Sequence, residues 1–173
     1  MKILVDLDGT VFKTYEVIGR LYKKRFKEDL DWSVISDANL KIWKTDKGKW
    51  LVEKFKDPKL NANLPIYKDA DKVLQAFAKK KGNQIIYCTA RRPENWGATY
   101  KAFKKNNIPP ATIIFLMRNN VPEMKKRVAK AFDINLAIDD ELVNVKALES
   151  ICQTVRFNGV IDNFWKGFKE YFL

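Results

Sequence analysis

The 173-residue chain is 46% hydrophobic and 31% charged, enough to bury one sizeable core and too short for two ordinary domains. Histidine is absent, which excludes Ser-His and Cys-His catalysis, His-ligated zinc and imidazole acid/base chemistry together. The formal charge of +12, from 33 Lys and Arg against 21 Asp and Glu, suits nucleotide or nucleic-acid partners and equally describes a plain solvated basic surface.

Ile3–Val5 reads as a short buried strand that stops at Asp6-Leu7-Asp8-Gly9, because Asp-Gly is a strong turn signal. Val11, Tyr15, Ile18, Leu21, Tyr22 and Phe26 recur near helical spacing and predict a helix over 11–26. Residues 29–64 lose this regularity and scatter Trp32, Trp43 and Trp50 among Asp, Asn and Lys. Helical pieces are expected at 39–43 and 47–55, broken by Asp57-Pro58 and again before Pro65, so the stretch reads as an insertion.

Strand and helix alternate regularly from there on. An amphipathic helix over 69–81, built on Val73, Leu74, Phe77 and Ala78, stops at Gly82, and Gln84–Thr89 is the next strand. A helix over 93–107, a strand over 112–116, a helix over 122–132 with Pro at its start and a strand over 135–138 follow. The last strand of these ends in Asp139-Asp140, and a helix over 141–150, a strand over 154–157 and a helix over 162–172 complete the pattern. Strands separated by single helices predict an α/β fold: a parallel sheet with right-handed crossovers, helices on both faces and ligands at the carboxyl ends of the strands.

Those carboxyl ends carry Asp6 and Asp8, then Thr89 with Arg91 and Arg92, then Asp139 and Asp140. A parallel sheet brings them to one edge, where crowded carboxylates raise one another's pKa unless a cation neutralises them. Oxygen ligands without His or a reactive Cys point to Mg²⁺, which takes a few carboxylates plus waters and phosphate oxygens. Cys88 and Cys152 lack metal-ligand spacing and are expected as reduced thiols. No apolar run nears the roughly 20 residues that span a bilayer and no signal peptide is recognised, so a soluble, cytoplasmic protein without a membrane partner is expected.

Taken in order, DLDGT, the strand-end Thr of IIYCTARRP, a Lys in PEMKKR and the IDD of a later strand resemble the four motifs of the haloacid dehalogenase (HAD) superfamily of phosphatases. TARRP and NLPIYKDA further resemble its 5'-nucleotidase (deoxyribonucleotidase, type C) branch. The resemblance implies a Rossmann-like three-layer core over 1–14 and 65–173, with a small helical cap inserted at 15–64. It implies a Mg²⁺-dependent phosphatase in which Asp6 attacks phosphorus to form an aspartyl-phosphate and Asp8 serves as general acid and then base. Asp8 also separates the phosphatase-like members from dehalogenases that lack an acid there.

By the same resemblance Gly9 lets the backbone pass close to phosphate, and Thr10 is a supporting hydroxyl. Thr89 and the Ala90 amide hold phosphate oxygens, while Arg91 or Arg92 contacts substrate phosphate or base. Lys125, with Lys126 as the alternative in an ambiguous register, neutralises the phosphoryl group. Asp139 binds the metal with the Asp6 carboxylate and the Asp8 carbonyl, and Asp140 joins through water or orients the Lys. The implied substrate is a small phosphate monoester, a (deoxy)nucleoside 5'-monophosphate first.

Plainer readings stand beside these. DLDGT lacks the further ligands and closing Glu of a calcium-binding EF-hand loop, but it could simply be a capped strand-to-helix turn. Asp139-Asp140-Glu141 could be a helix-capping cluster, Lys125 and Lys126 a solvated helix face, and the three Trp the small core of the insertion rather than a base-stacking surface. A 3'-phosphatase acting on polynucleotide ends and a non-catalytic nucleic-acid-binding module are the rival functions that the charge allows.

Overall fold

The structure is a computed structural model that describes residues 1–32, 43–117, 119–158 and 164–172. Five parallel strands form one sheet: β1 (Lys2–Val5), β2 (Gln84–Thr89), β3 (Thr112–Phe115), β4 (Leu136–Asp139) and β5 (Gln153–Arg156), in the order β3-β2-β1-β4-β5. β1 is thus central, with Leu4 opposite Ile86 on one side and Ala137 on the other.

The helices are α1 (Thr14–Phe26), α2 (Asp46–Lys56), α3 (Pro58–Asn61), α4 (Ala70–Lys79), α5 (Trp96–Lys105), α6 (Val121–Ala131), α7 (Leu142–Leu148) and α8 (Phe164–Phe172). Side chains alternate across a strand, and the alternation divides the core into two layers. Ile3, Val5, Ile85, Tyr87 and Ile138 pack on one face against Val73, Leu74 and Phe77 of α4, Phe103 of α5 and Trp165 of α8. Leu4, Ile86, Cys88 and Ala137 pack on the other against Val121 and Ala129 of α6 and Leu148 of α7. Helices therefore cover both faces, and the sheet is buried as the near-continuous apolar strands require.

A third cluster is separate: Ile18 and Tyr22 of α1 meet Leu51 of α2, flanked by Phe26, Trp32, Trp43 and Trp50. Among the described residues no helix is long and apolar enough to cross a membrane, and both cysteines are free, Cys88 buried and Cys152 partly so.

Several boundaries differ from the sequence reading for local reasons. Val11 and Phe12, expected in the first helix, belong to a tight turn in which both amides donate to the Leu7 carbonyl, at 3.0 and 2.8 Å. Phe12 then bridges to Ile66, so both side chains enter the main core and α1 starts only at Thr14. The segment expected as one helix over 93–107 begins as a 3₁₀ turn at Pro93–Asn95 before α5. The helical piece expected at 39–43 lies outside the described residues but for Trp43, as do residues 162 and 163 ahead of α8.

Candidate active site

β1 delivers Asp6 directly after its last residue, the Asp6 amide still bonded to the Ile138 carbonyl of β4 at 3.0 Å. β4 ends on Asp139 itself, and the two carboxylates are joined by Lys125 from the second turn of α6. The Lys125 ammonium donates to Asp6 Oδ1 and to Asp139 Oδ2, each at 2.6 Å, and the lysine is 1% exposed. Lys126, one residue on, is only half-buried and does not line the site, so of the two candidates the structure places Lys125 against the strand-end acids.

Asp139 Oδ1 is held in turn by the Glu141 amide at 3.1 Å and by Asn144 Nδ2 at 3.0 Å. Asn144 Nδ2 also reaches Glu141 Oε2 at 3.0 Å, which fixes the amide with its nitrogen toward the acids. Its Oδ1 is then buried with no hydrogen-bond partner among the described residues, although Asn144 lines the cavity.

Asp8 sits two residues beyond Asp6 and is gripped by Arg91 in a forked pair: Nε to Oδ2 at 2.8 Å and Nη2 to Oδ1 at 2.7 Å. Such bidentate pairs combine charge with fixed geometry. Thr14, the first residue of α1, also donates to Asp8 Oδ1. Arg91 is steadied by its Nη1 donating to Thr99 of α5 at 3.1 Å and by the Phe12 ring, 4.8 Å away. Its amide donates to Thr89 Oγ1 at 3.1 Å.

These groups open into a cavity of about 480 Å³, within the range of small-molecule sites. Asp6, Asp8, Thr89, Ala90, Arg91, Lys125, Asp139 and Asp140 all line it. Two expected substrate contacts do not. Thr10 is fully buried and donates to Asp140 Oδ1 at 3.1 Å, which makes it a support for that acid. Arg92 is exposed and points its chemistry elsewhere, because the backbone after β2 gives the inward place to Arg91. Tyr15, Trp32, Trp43 and Phe55 form an aromatic wall, the Tyr15 ring standing 5.0 Å from that of Trp32 and 6.3 Å from that of Phe55.

The sequence reading passed over Asn144, Thr14, Thr99, Arg156, Tyr15 and Phe55. Asn144 had one usable signal, a polar residue in the first turn of the helix that follows the paired acids. The others are placed by tertiary packing alone.

The electrostatics are unbalanced toward negative charge. Among the described residues five carboxylates face three cationic side chains around the cavity, the cations being Arg91, Lys125 and Arg156. Burial pushes Asp6 well above the usual carboxylate range, with the field of Lys125 opposing it and those of Asp139 and Asp140 adding to it. Burial, then Asp139 and Glu141, push Asp140 up to about 7. Lys125 shows the converse: burial works against its ammonium, yet the two carboxylates override it and hold its pKa above the ordinary lysine value.

A divalent cation would remove this excess. The donors are all oxygen, two carboxylates are held above their normal range, and Asn144 Oδ1 is a buried acceptor awaiting a donor such as a metal-bound water. Among the described residues no three acidic or Cys side chains form a cage by themselves. The all-oxygen donor set fits Mg²⁺, which keeps several waters and is commonly held by one or two carboxylates plus substrate phosphate.

Gly9 makes the turn between the two halves of the motif at φ +87°, where a Cβ would run into the Tyr15 ring and the Asp140 carboxylate. Gly9→Ala should therefore cost about 1–3 kcal/mol of stability, measurable as a lowered urea midpoint.

The fold is shared with solved structures of the HAD superfamily. A phosphonoacetaldehyde hydrolase-like protein from Oleispira antarctica matches with a TM-score of 0.58 at 17% identity, over 90% of this chain and 71% of that one. A subfamily IA HAD hydrolase from Geobacter sulfurreducens matches with a TM-score of 0.57 at 14% identity, over 90% of this chain and 85% of that one. CbbY from Rhodobacter sphaeroides, in complex with xylulose-(1,5)bisphosphate, matches with a TM-score of 0.58 at 15% identity, over 96% of this chain and 90% of that one. No protein-family model and no curated protein matches the sequence. The architecture is thus HAD-like, and the nucleotidase branch gains no support from these structures.

Proposed function

We propose that the protein is a Mg²⁺-dependent phosphomonoesterase that works through an aspartyl-phosphate on Asp6, with nucleoside monophosphates as its substrates. The observation that carries this is the pairing of Asp6 with the buried Lys125 ammonium at 2.6 Å in a cavity that also holds Asp8 two residues away. A carboxylate attacks a phosphate monoester only where cationic groups offset the repulsion between anions, and Lys125 supplies one such charge at the nucleophile itself.

Mg²⁺, held by Asp6, Asp139 and the Asp8 carbonyl, with Asp140 joining through water and Asn144 behind them, would supply the remaining charge neutralisation and polarise the phosphoryl oxygens. The chain's own groups do the rest. An Asp6 carboxylate oxygen forms the bond to phosphorus while the ester P–O bond breaks, and the departing oxygen takes a proton from Asp8. Water then attacks the phosphorus, Asp8 takes a proton from it, and inorganic phosphate leaves with Asp6 restored as carboxylate. Thr89, with its hydroxyl, and the Ala90 amide serve as donors to the phosphoryl oxygens.

Both oxygens of Asp8 are occupied by Arg91. Substrate phosphate is the natural competitor for that guanidinium. Arg91 therefore moves from Asp8 to the substrate, leaving Asp8 able to hold the proton that the leaving group requires. Residues 15–64 act as a cap whose aromatic wall of Trp32, Trp43 and Phe55 offers flat faces to a nucleobase, and a bare sugar phosphate has less use for them.

The test is release of inorganic phosphate from a panel of nucleoside monophosphates, sugar phosphates and 4-nitrophenyl phosphate, with and without Mg²⁺, alongside halide release from 2-haloacids. Turnover of nucleotides over sugar phosphates by at least tenfold in kcat/KM is expected, lost on chelation. Halide release without phosphate release would overturn the reading.

A further inference from the structure

A second recess, of about 820 Å³, lies outside the active site between α5 and the edge strand β3. Its rim carries Trp96 and Tyr100, one helical turn apart, which remain 55% and 45% exposed. Ala98, Thr99 and Ala102 of α5 are buried, and Phe103 both joins the core and lines the recess, whereas Trp96 and Tyr100 on that same side stay exposed, so packing of the sheet does not account for the two aromatics. Their ring centroids are 5.4 Å apart, and Lys104, a further turn along, places its ammonium 5.8 Å from the Tyr100 centroid. One helix face thus presents Trp, Tyr and Lys in a row.

We infer that this face of α5 is a stacking platform for a single-stranded polynucleotide. Strand-binding surfaces combine aromatic faces, on which successive bases stack, with cations that track the phosphates. Both parts are here. Lys104 lines the recess beside the aromatics, Arg92 and Lys101 are exposed on the same stretch of chain, and Glu94 is the single acid in the sequence from 91 to 110. Charge also chooses among the occupants of an apolar groove. A second copy of this chain would bring another +12 and another lysine rim against the first, whereas a polyanion is complementary to both.

The platform is carried by the helix that also holds Arg91 of the catalytic cavity. α5 follows the loop that carries Arg91, and Thr99 on its inner side holds the guanidinium that grips Asp8. A strand lying along Trp96 and Tyr100 therefore runs beside the end of β2, where phosphate chemistry is proposed. The binding itself does not depend on that activity and is read without turnover.

Fluorescence anisotropy with a labelled oligo(dT) 12-mer in EDTA, at two salt concentrations, tests it. The wild-type protein is expected to bind, less tightly as salt rises, and Trp96→Ala or Tyr100→Ala to weaken binding by about 5- to 100-fold. Trp96→Phe, which keeps an aromatic face, should retain most of the affinity, and unchanged thermal melting would exclude misfolding. The inference is overturned if the wild-type protein does not bind at low salt, or if both alanine variants bind like it. It is overturned equally if sedimentation shows a wild-type dimer that Trp96→Ala dissociates and no oligonucleotide is bound, because the face is then a contact between copies.

Discussion

Asp6→Asn is expected to abolish phosphate release, by roughly 10³-fold or more, while the folded protein becomes no less stable and gains against urea. The first half follows from removing the oxygen anion that must bond to phosphorus. The second follows from burial, which raises the pKa of Asp6 despite the opposing charge of Lys125. A carboxyl whose folded pKa lies above its unfolded value destabilises the fold as pH rises from the unfolded value to the folded one, and that loss persists above both. Asn has nearly the same shape, can still accept from Lys125 and carries no charge to desolvate. Parallel measurement of turnover and urea midpoint checks the pairing of effects. A variant that keeps substantial activity would remove Asp6 as nucleophile; one that unfolds would mean that the Asp6 charge is structural.

Lys125→Met should behave oppositely in stability. It leaves Asp6 and Asp139 buried together without the ammonium that bonds both. Removing one partner of a buried ion pair typically costs about 3–5 kcal/mol, because the remaining charge is left uncompensated. The urea midpoint should fall accordingly, and activity should be lost. Added Mg²⁺ should raise the melting temperature of this variant more than that of the wild-type protein, since the metal binds only the folded acids and would replace a missing positive charge. Loss of activity with no loss of stability would show that the carboxylates tolerate each other unaided.

Much of the architecture is legible in the sequence because the parallel strands are apolar runs and the helices between them repeat at helical spacing. Val11 and Phe12 show the limit of that reading. They fit the helical period, but a hydrogen-bonded turn to Leu7 and a bridge to Ile66 claim them, and both effects are tertiary. In the site, Asp6, Asp8, Thr89, Lys125 and the Asp139–Asp140 pair are marked by position at strand ends and by motif order. Arg91 was identifiable as a neighbour of phosphate, yet nothing local distinguishes it from Arg92; only the chain path after Thr89 turns one inward. Thr10 is a supporting hydroxyl in the sequence reading, and what it supports, the Asp140 carboxylate, is set by tertiary packing.

The central place of β1 has a consequence for how the molecule is made. Its partners begin at Gln84 and Leu136, so β1 leaves the ribosome long before either neighbour and is paired on both sides only after β4 has followed. Ile3, Leu4 and Val5 must stay in solution or in a chaperone meanwhile, and pairing over so long a separation is slow. The two acids joined by Lys125 come from opposite ends of this wait. Pairing of β1 with β4 and assembly of the charge cluster are therefore one event, and a nascent chain that has not reached β4 holds Asp6 without its setting.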